Sequence, residues 1–142
     1  VIVQCGESIL SSKVGICWDQ VELERLWFEK NNYKFKTIFI YFESNKENDF
    51  PTHTFLIFKE NDKWYWFEHA FEKYKGIHEF SSYLGAINYV MIKHLEYAVS
   101  INKASLNDKN MLKAYEYFKP QKDYSLNEYL DFIFNNGVKI DI

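Results

Sequence analysis

Arginine is nearly missing from this chain of 142 residues: Arg25 stands alone, and the other basic residues are lysines spread without a dense block. Guanidinium forks are the usual readers of phosphates and base edges, and the net charge is −3, so no nucleic-acid partner is expected. Cysteine is almost as scarce, at two. Cys5 and Cys17 make no disulfide framework and show no Cys-x-x-Cys spacing for zinc. We expect both to be reduced thiols in a cytoplasmic protein. No apolar run approaches the length of a membrane span, and no cleavable signal pattern is read at the start, so no membrane association is expected. Internal repeats, linkers and low-complexity tracts are also lacking, which leaves one domain over residues 1–142.

What is present is apolar and aromatic, at 47% and 20% of residues. That composition suits a packed core and excludes a disordered or fibrous chain. From Cys17 to about Lys30 the sequence is helical and free of Gly and Pro. Glu22, Arg25 and Glu29 share one arc there, while apolar residues spread over most of the rest, predicting a central buried helix stopped by Asn31-Asn32. Tyr33 to Glu43 reads as a strand, residues 44–50 as a polar loop, and Pro51 opens a second strand running to about Lys59. Glu60-Asn61-Asp62 is the turn into a third strand from Trp64 to about Phe71. A loop holding Gly76 and His78 follows. Leu84, Ile87, Met91, Leu95 and Ala98 recur at helical spacing, predicting a long helix over 82–102. Residues 106–120 are ambiguous, with a turn at Asn107-Asp108 and a further strand at Tyr115 to Phe118. Ser125-Leu126-Asn127-Glu128 matches a capping box, with Gly137 at the other end of that helix. The fold class is therefore α+β: a buried helix on an antiparallel sheet, with additional C-terminal helices.

Three residues carry chemistry when taken in order. Cys17 follows Gly15-Ile16 at a helix start, His53 lies in Pro-Thr-His-Thr, and Glu68 ends Trp-Tyr-Trp-Phe-Glu. A thiol, an imidazole and a carboxylate are the parts of a cysteine nucleophile, its base and the group that orients the base. Strand alternation puts His53 on a face with Phe55 and Ile57, and Glu68 on a face with Trp64 and Trp66. A Glu60-Asn61 loop would set His53 opposite Glu68, and an Asn61-Asp62 loop would make them diagonal neighbours on one face. A free thiol has a pKa of ~8.5, and a helix N-terminus beside an imidazolium lowers it to roughly 3.5–7.5.

The order Cys, His, acid, with Gly-x-Cys-Trp at a helix start, resembles the transglutaminase-like superfamily within the papain-like fold. His53 to Glu68 matches that family's interval of about fifteen residues, and Trp66-Phe67-Glu68 is similar to its Trp-x-x-Asp segment. The resemblance covers residues 13–70. It implies Cys17 as nucleophile, His53 as base and Glu68 as the acid, although the family's acid is usually Asp. It also implies a cysteine peptidase or transglutaminase-like enzyme acting on a peptide or protein substrate, with no cofactor.

Trp18 adjoins the nucleophile and is the candidate for lining an acyl-substrate pocket; the other tryptophans read as core. Gln4 and Gln20 are candidate oxyanion donors. Glu24 reads as a structural carboxylate with a hydrogen-bond partner, and His69 as structural on the opposite face from Glu68. His78 reads as a loop residue and His94 as a helix-surface residue. Without established ligand spacing, a metal site is not expected. The competing reading is a non-catalytic module that binds a peptide or protein in the same cleft. Neither substrate identity nor oligomeric state is legible.

Overall fold

A computed structural model describes residues 2–3, 17–44 and 50–142, with the main chain alone at residues 2, 3 and 17. Gln4, Cys5, Ser11 and Ser12 lie outside the described residues. A two-residue strand, β1 (Ile2–Val3), is followed by helix α1 (Cys17–Lys30) and strands β2 (Lys34–Phe42), β3 (His53–Glu60), β4 (Lys63–Glu68) and β5 (Gly76–Phe80). Helix α2 (Tyr83–Ser100), a 3-10 turn and β6 (Leu112–Tyr117) come next. The chain ends in β7 (Tyr124–Ser125), helix α3 (Leu126–Asn136) and β8 (Val138–Lys139). Six strands form one antiparallel sheet in the order β5-β4-β3-β2-β6-β8, and β1 pairs with β7 apart from it. The class is α+β, as the alternation of periodicities predicts.

Local chemistry explains the element ends. Asn31 and Asn32 close α1, with Asn32 at a positive φ of 59° and the Asn31 side chain donating to the Trp27 carbonyl. Asn61 and Asp62 both take positive φ, 49° and 64°, and form the two-residue turn of the β3–β4 hairpin. Ser82 caps α2 by accepting from the Gly85 amide. Ser125 and Glu128 complete the reciprocal capping box of α3. At the far end a Cβ on Gly137 would lie 2.5 Å from the Ile133 carbonyl oxygen and 2.7 Å from that of Glu116, so only glycine lets β8 approach β6 there.

Both faces of the central strands are covered, which is why β2 and β3 read as nearly continuous apolar runs. One face packs Ile38, Ile40, Phe55, Ile57, Trp64 and Trp66 against the stripe Ala86, Ile87, Val90, Met91, Leu95 and Ala98 of α2. The opposite face packs Leu56 and Phe58 against Phe28 of α1, and Phe39 and Tyr117 against Val21 of α1 and Tyr129 and Ile133 of α3.

Several expectations are corrected. The charged arc of α1 is turned partly inward: Glu22 and Arg25 are buried, while Trp27 is 54% exposed and does not belong to the core. Arg25 Nε donates to Glu22 Oε1 at 2.7 Å, and its Nη2 donates to Thr37 Oγ1 at 2.6 Å. Neutralisation within one turn of helix makes that burial tolerable. Residues 76–80 form an edge strand rather than a loop, with His78 level with Trp66. His94 is buried, at 2% exposure, not on the helix surface.

Candidate active site

β3 begins at His53 and β4 ends at Glu68. Because Asn61-Asp62 is the turn, Leu56 is level with Phe67, and the same register carried onward sets Glu68 level with Phe55. His53 and Glu68 are therefore diagonal neighbours on one face. A diagonal separation is longer than a direct one by roughly 2–3 Å, and the extra methylene of glutamate over aspartate spans part of it.

The glutamate is the hub of the site. Its Oε1 accepts from His53 Nε2 at 2.7 Å and from Trp66 Nε1 at 3.1 Å. Its Oε2 accepts from the amides of Ala70 and Phe71, both at 2.9 Å. Burial alone would raise the Glu68 pKa, but the hydrogen bond and charge of His53 and the two amides outweigh it and hold the carboxyl below its ordinary value. An ionised carboxylate has only acceptors, so His53 Nε2 carries a hydrogen and Nδ1 is the nitrogen left to exchange protons.

The imidazole of His53 is clamped on several sides. Phe55 stacks on it at 5.9 Å between ring centroids, His94 stacks at 6.1 Å, and Phe71 meets it edge-on. His94 Nε2 donates to the Pro51 carbonyl at 2.9 Å, tying α2 to the residue two before His53. Burial lowers the His94 pKa to about 4, with the charge of His53 acting in the same direction, so His94 is neutral near pH 7. Sequence reasoning missed this residue, although its spacing from Val90, Met91 and Ala98 sets it on the buried stripe of α2.

His53 also lines a cleft of about 490 Å3. The start of β3, the turn after β4 and the last turns of α2 enclose it, through Thr52, Phe71, Tyr74, His94 and Tyr97.

Cys17 is the first residue of α1, as its sequence position predicts. Its side chain lies outside the description. Helix α1 covers the face opposite to that of His53 and Glu68. It runs along β3: Val21 packs near Phe39, which is level with Thr54, and Phe28 packs on Phe58. Cys17 thus opens its helix at the end of the sheet where β3 begins. Trp18 is half-buried against Tyr129 of α3, at 6.2 Å, rather than in the wall of the cleft.

A second imidazole–carboxylate pair lies on the α1 face, where His69 Nδ1 is 3.0 Å from Glu24 Oε2. That is the partner expected for Glu24. The hydrogen bond to Glu24 raises the His69 pKa, while burial raises that of Glu24. Among the described residues, no three His, Cys, Asp or Glu side chains gather to hold a metal ion, and no helix is long and apolar enough to cross a membrane. Comparison with protein-family models, curated proteins and solved structures gives no match for this chain.

Proposed function

We propose that this protein is a thiol enzyme of acyl transfer, in which Cys17, His53 and Glu68 act as nucleophile, base and orienting acid. The observation that carries the reading is the Glu68–His53 contact, which takes up Nε2 and leaves Nδ1 for proton traffic. The start of α1 at the same end of the sheet as His53 supports it, as does the resemblance to transglutaminase-like proteins.

His53 Nδ1 takes the Cys17 thiol proton, and the thiolate adds to the carbonyl carbon of an amide or ester. The amides and dipole of the helix start favour negative charge on sulfur and on the carbonyl oxygen. As the tetrahedral species collapses, the carbon–nitrogen or carbon–oxygen bond breaks and the imidazolium protonates the leaving group. A thioester remains. Water or an amine then attacks it, giving its proton to His53, and the released thiolate recovers a proton. Glu68 keeps the tautomer correct throughout and compensates the imidazolium charge.

The placement of α1 on the opposite face favours a second reading, a module that binds a peptide beside His53 without using the thiol. The two separate in the pH dependence of Cys17 alkylation by iodoacetamide, followed by mass in a Cys5→Ser background. Acyl transfer requires rapid labelling well below pH 8 and loss of that acid limb in His53→Ala. Labelling that tracks an ordinary thiol, with a pKa of ~8.5 in both proteins, overturns the enzyme.

A further inference from the structure

We propose that the cleft beside His53 is the acyl-donor subsite and takes an aromatic side chain flanking the reacting carbonyl. The inference rests on the acyl-transfer reading and adds to it a substrate class.

The walls argue for rings. Phe71 presents an edge-to-face arrangement to Tyr74, at 4.9 Å and 86°, and to Tyr97, at 5.5 Å and 68°. Tyr97 of α2 is 43% exposed and lines the cleft beside Phe71. An added ring meets edges and faces here in the geometry that aromatic pairs prefer.

Charge at the rim does not point to an ionic substituent. Lys93 pairs with Glu96 at 3.3 Å, and Glu72 pairs with Lys75 at 2.7 Å. The Lys73 ammonium lies 5.6 Å over the Tyr74 ring. With about 490 Å3 the cleft is within the range of ligand pockets, and holds one large side chain together with part of the peptide that bears it. Because His53 forms part of the wall, a residue seated there holds its carbonyl beside the imidazole.

The test uses p-nitrophenyl esters of N-acetylated amino acids, which report acylation whether water or an amine completes the reaction. The phenylalanine, tyrosine and tryptophan esters should exceed the alanine, glutamate and lysine esters at least tenfold in kcat/KM. Tyr97→Ala should cut the phenylalanine-to-alanine ratio about fivefold or more. Ser100→Trp, an exposed cleft-lining position filled with a ring, should cut it further by occupying the site. A flat ester series combined with an acid-shifted Cys17 alkylation profile overturns the aromatic subsite and leaves the acyl-transfer reading standing. An ordinary thiol profile with no acylation by any ester overturns both.

Discussion

Replacing Glu68 by glutamine changes one atom of the hub, and the consequences follow from the four hydrogen bonds it accepts. The amide nitrogen has two hydrogens and no lone pair to offer. Turned toward Ala70 and Phe71, it leaves two backbone donors unpaired. Turned toward His53 and Trp66, it lets the imidazole adapt by moving its hydrogen to Nδ1, so that Nε2 accepts from the new amide. The indole is then the one donor left over. A buried donor without a partner costs about 1–3 kcal/mol, and loss of the charge-assisted bond to the imidazole adds about 1 kcal/mol, so Glu68→Gln should lose about 3 kcal/mol of stability. In urea, with a slope of about 2 kcal/mol per molar for a domain of this size, the midpoint should fall by about 1.5 M without a change in slope. If the acyl-transfer proposal holds, the functional effect should exceed the structural one, because a hydrogen on Nδ1 would block the nitrogen proposed to take the thiol proton. Nitrogen-15 shifts of the His53 ring should report the tautomer reversal, and Cys17 alkylation should lose its acid limb. A midpoint within 0.3 M of wild type, with the Nε2–H tautomer retained, would refute the hub.

Two further perturbations test the packing around it. His94 is neutral in the folded protein down to about pH 4 but is protonated below about 6.5 once unfolded, so its contribution to stability is lost as pH falls through that window. At about 1.4 kcal/mol per pH unit, the stability cost of His94→Gln measured by denaturant at pH 7 should shrink by about 2–3 kcal/mol at pH 4.5; a cost independent of pH would show that His94 titrates normally. On the opposite face, Glu22→Gln or Arg25→Met alone should cost about 3–5 kcal/mol by leaving the partner charge buried and uncompensated, whereas Glu22→Leu with Arg25→Met should recover most of the loss. A double variant no better than the worse single one would refute that account.

The positions of the three proposed residues were legible because each sits at an element boundary marked by its own chemistry. Cys17 opens a run without Gly or Pro, His53 opens β3 two residues after Pro51, and Asn61-Asp62 is a turn that fixes the hairpin register. Register alone brought His53 and Glu68 to one face. Other features depended on tertiary neighbours that one sequence does not display. Strand β5 is short, half-exposed and at the sheet edge, so its apolar alternation is weak. The mutual neutralisation of Glu22 and Arg25, and the Thr37 hydroxyl that completes it, emerge only when α1 meets β2. Which helix covers which face is likewise invisible in the periodicity. Trp18 illustrates the consequence: adjacency to Cys17 in sequence suggested a substrate wall, but on the α1 face it meets Tyr129.

Chain direction nevertheless constrains where chemistry can gather. Helix α1 runs with β3, while β2 and β4 run against both. The start of α1, the start of β3 and the end of β4 therefore all fall at one end of the sheet, whichever face each side chain uses. Those three positions are Cys17, His53 and Glu68. In the middle of the sheet, layers about 10 Å apart would separate a helix side chain on one face from an imidazole on the other. At the start of β3 no further residues of that strand intervene, and its line is continued by the segment that leads into His53. Pro51 and Thr52 are that segment, and the Pro51 carbonyl is held by His94. The residue that stacks on the imidazole thus also fixes the strand entry past which a thiol on α1 would have to reach it.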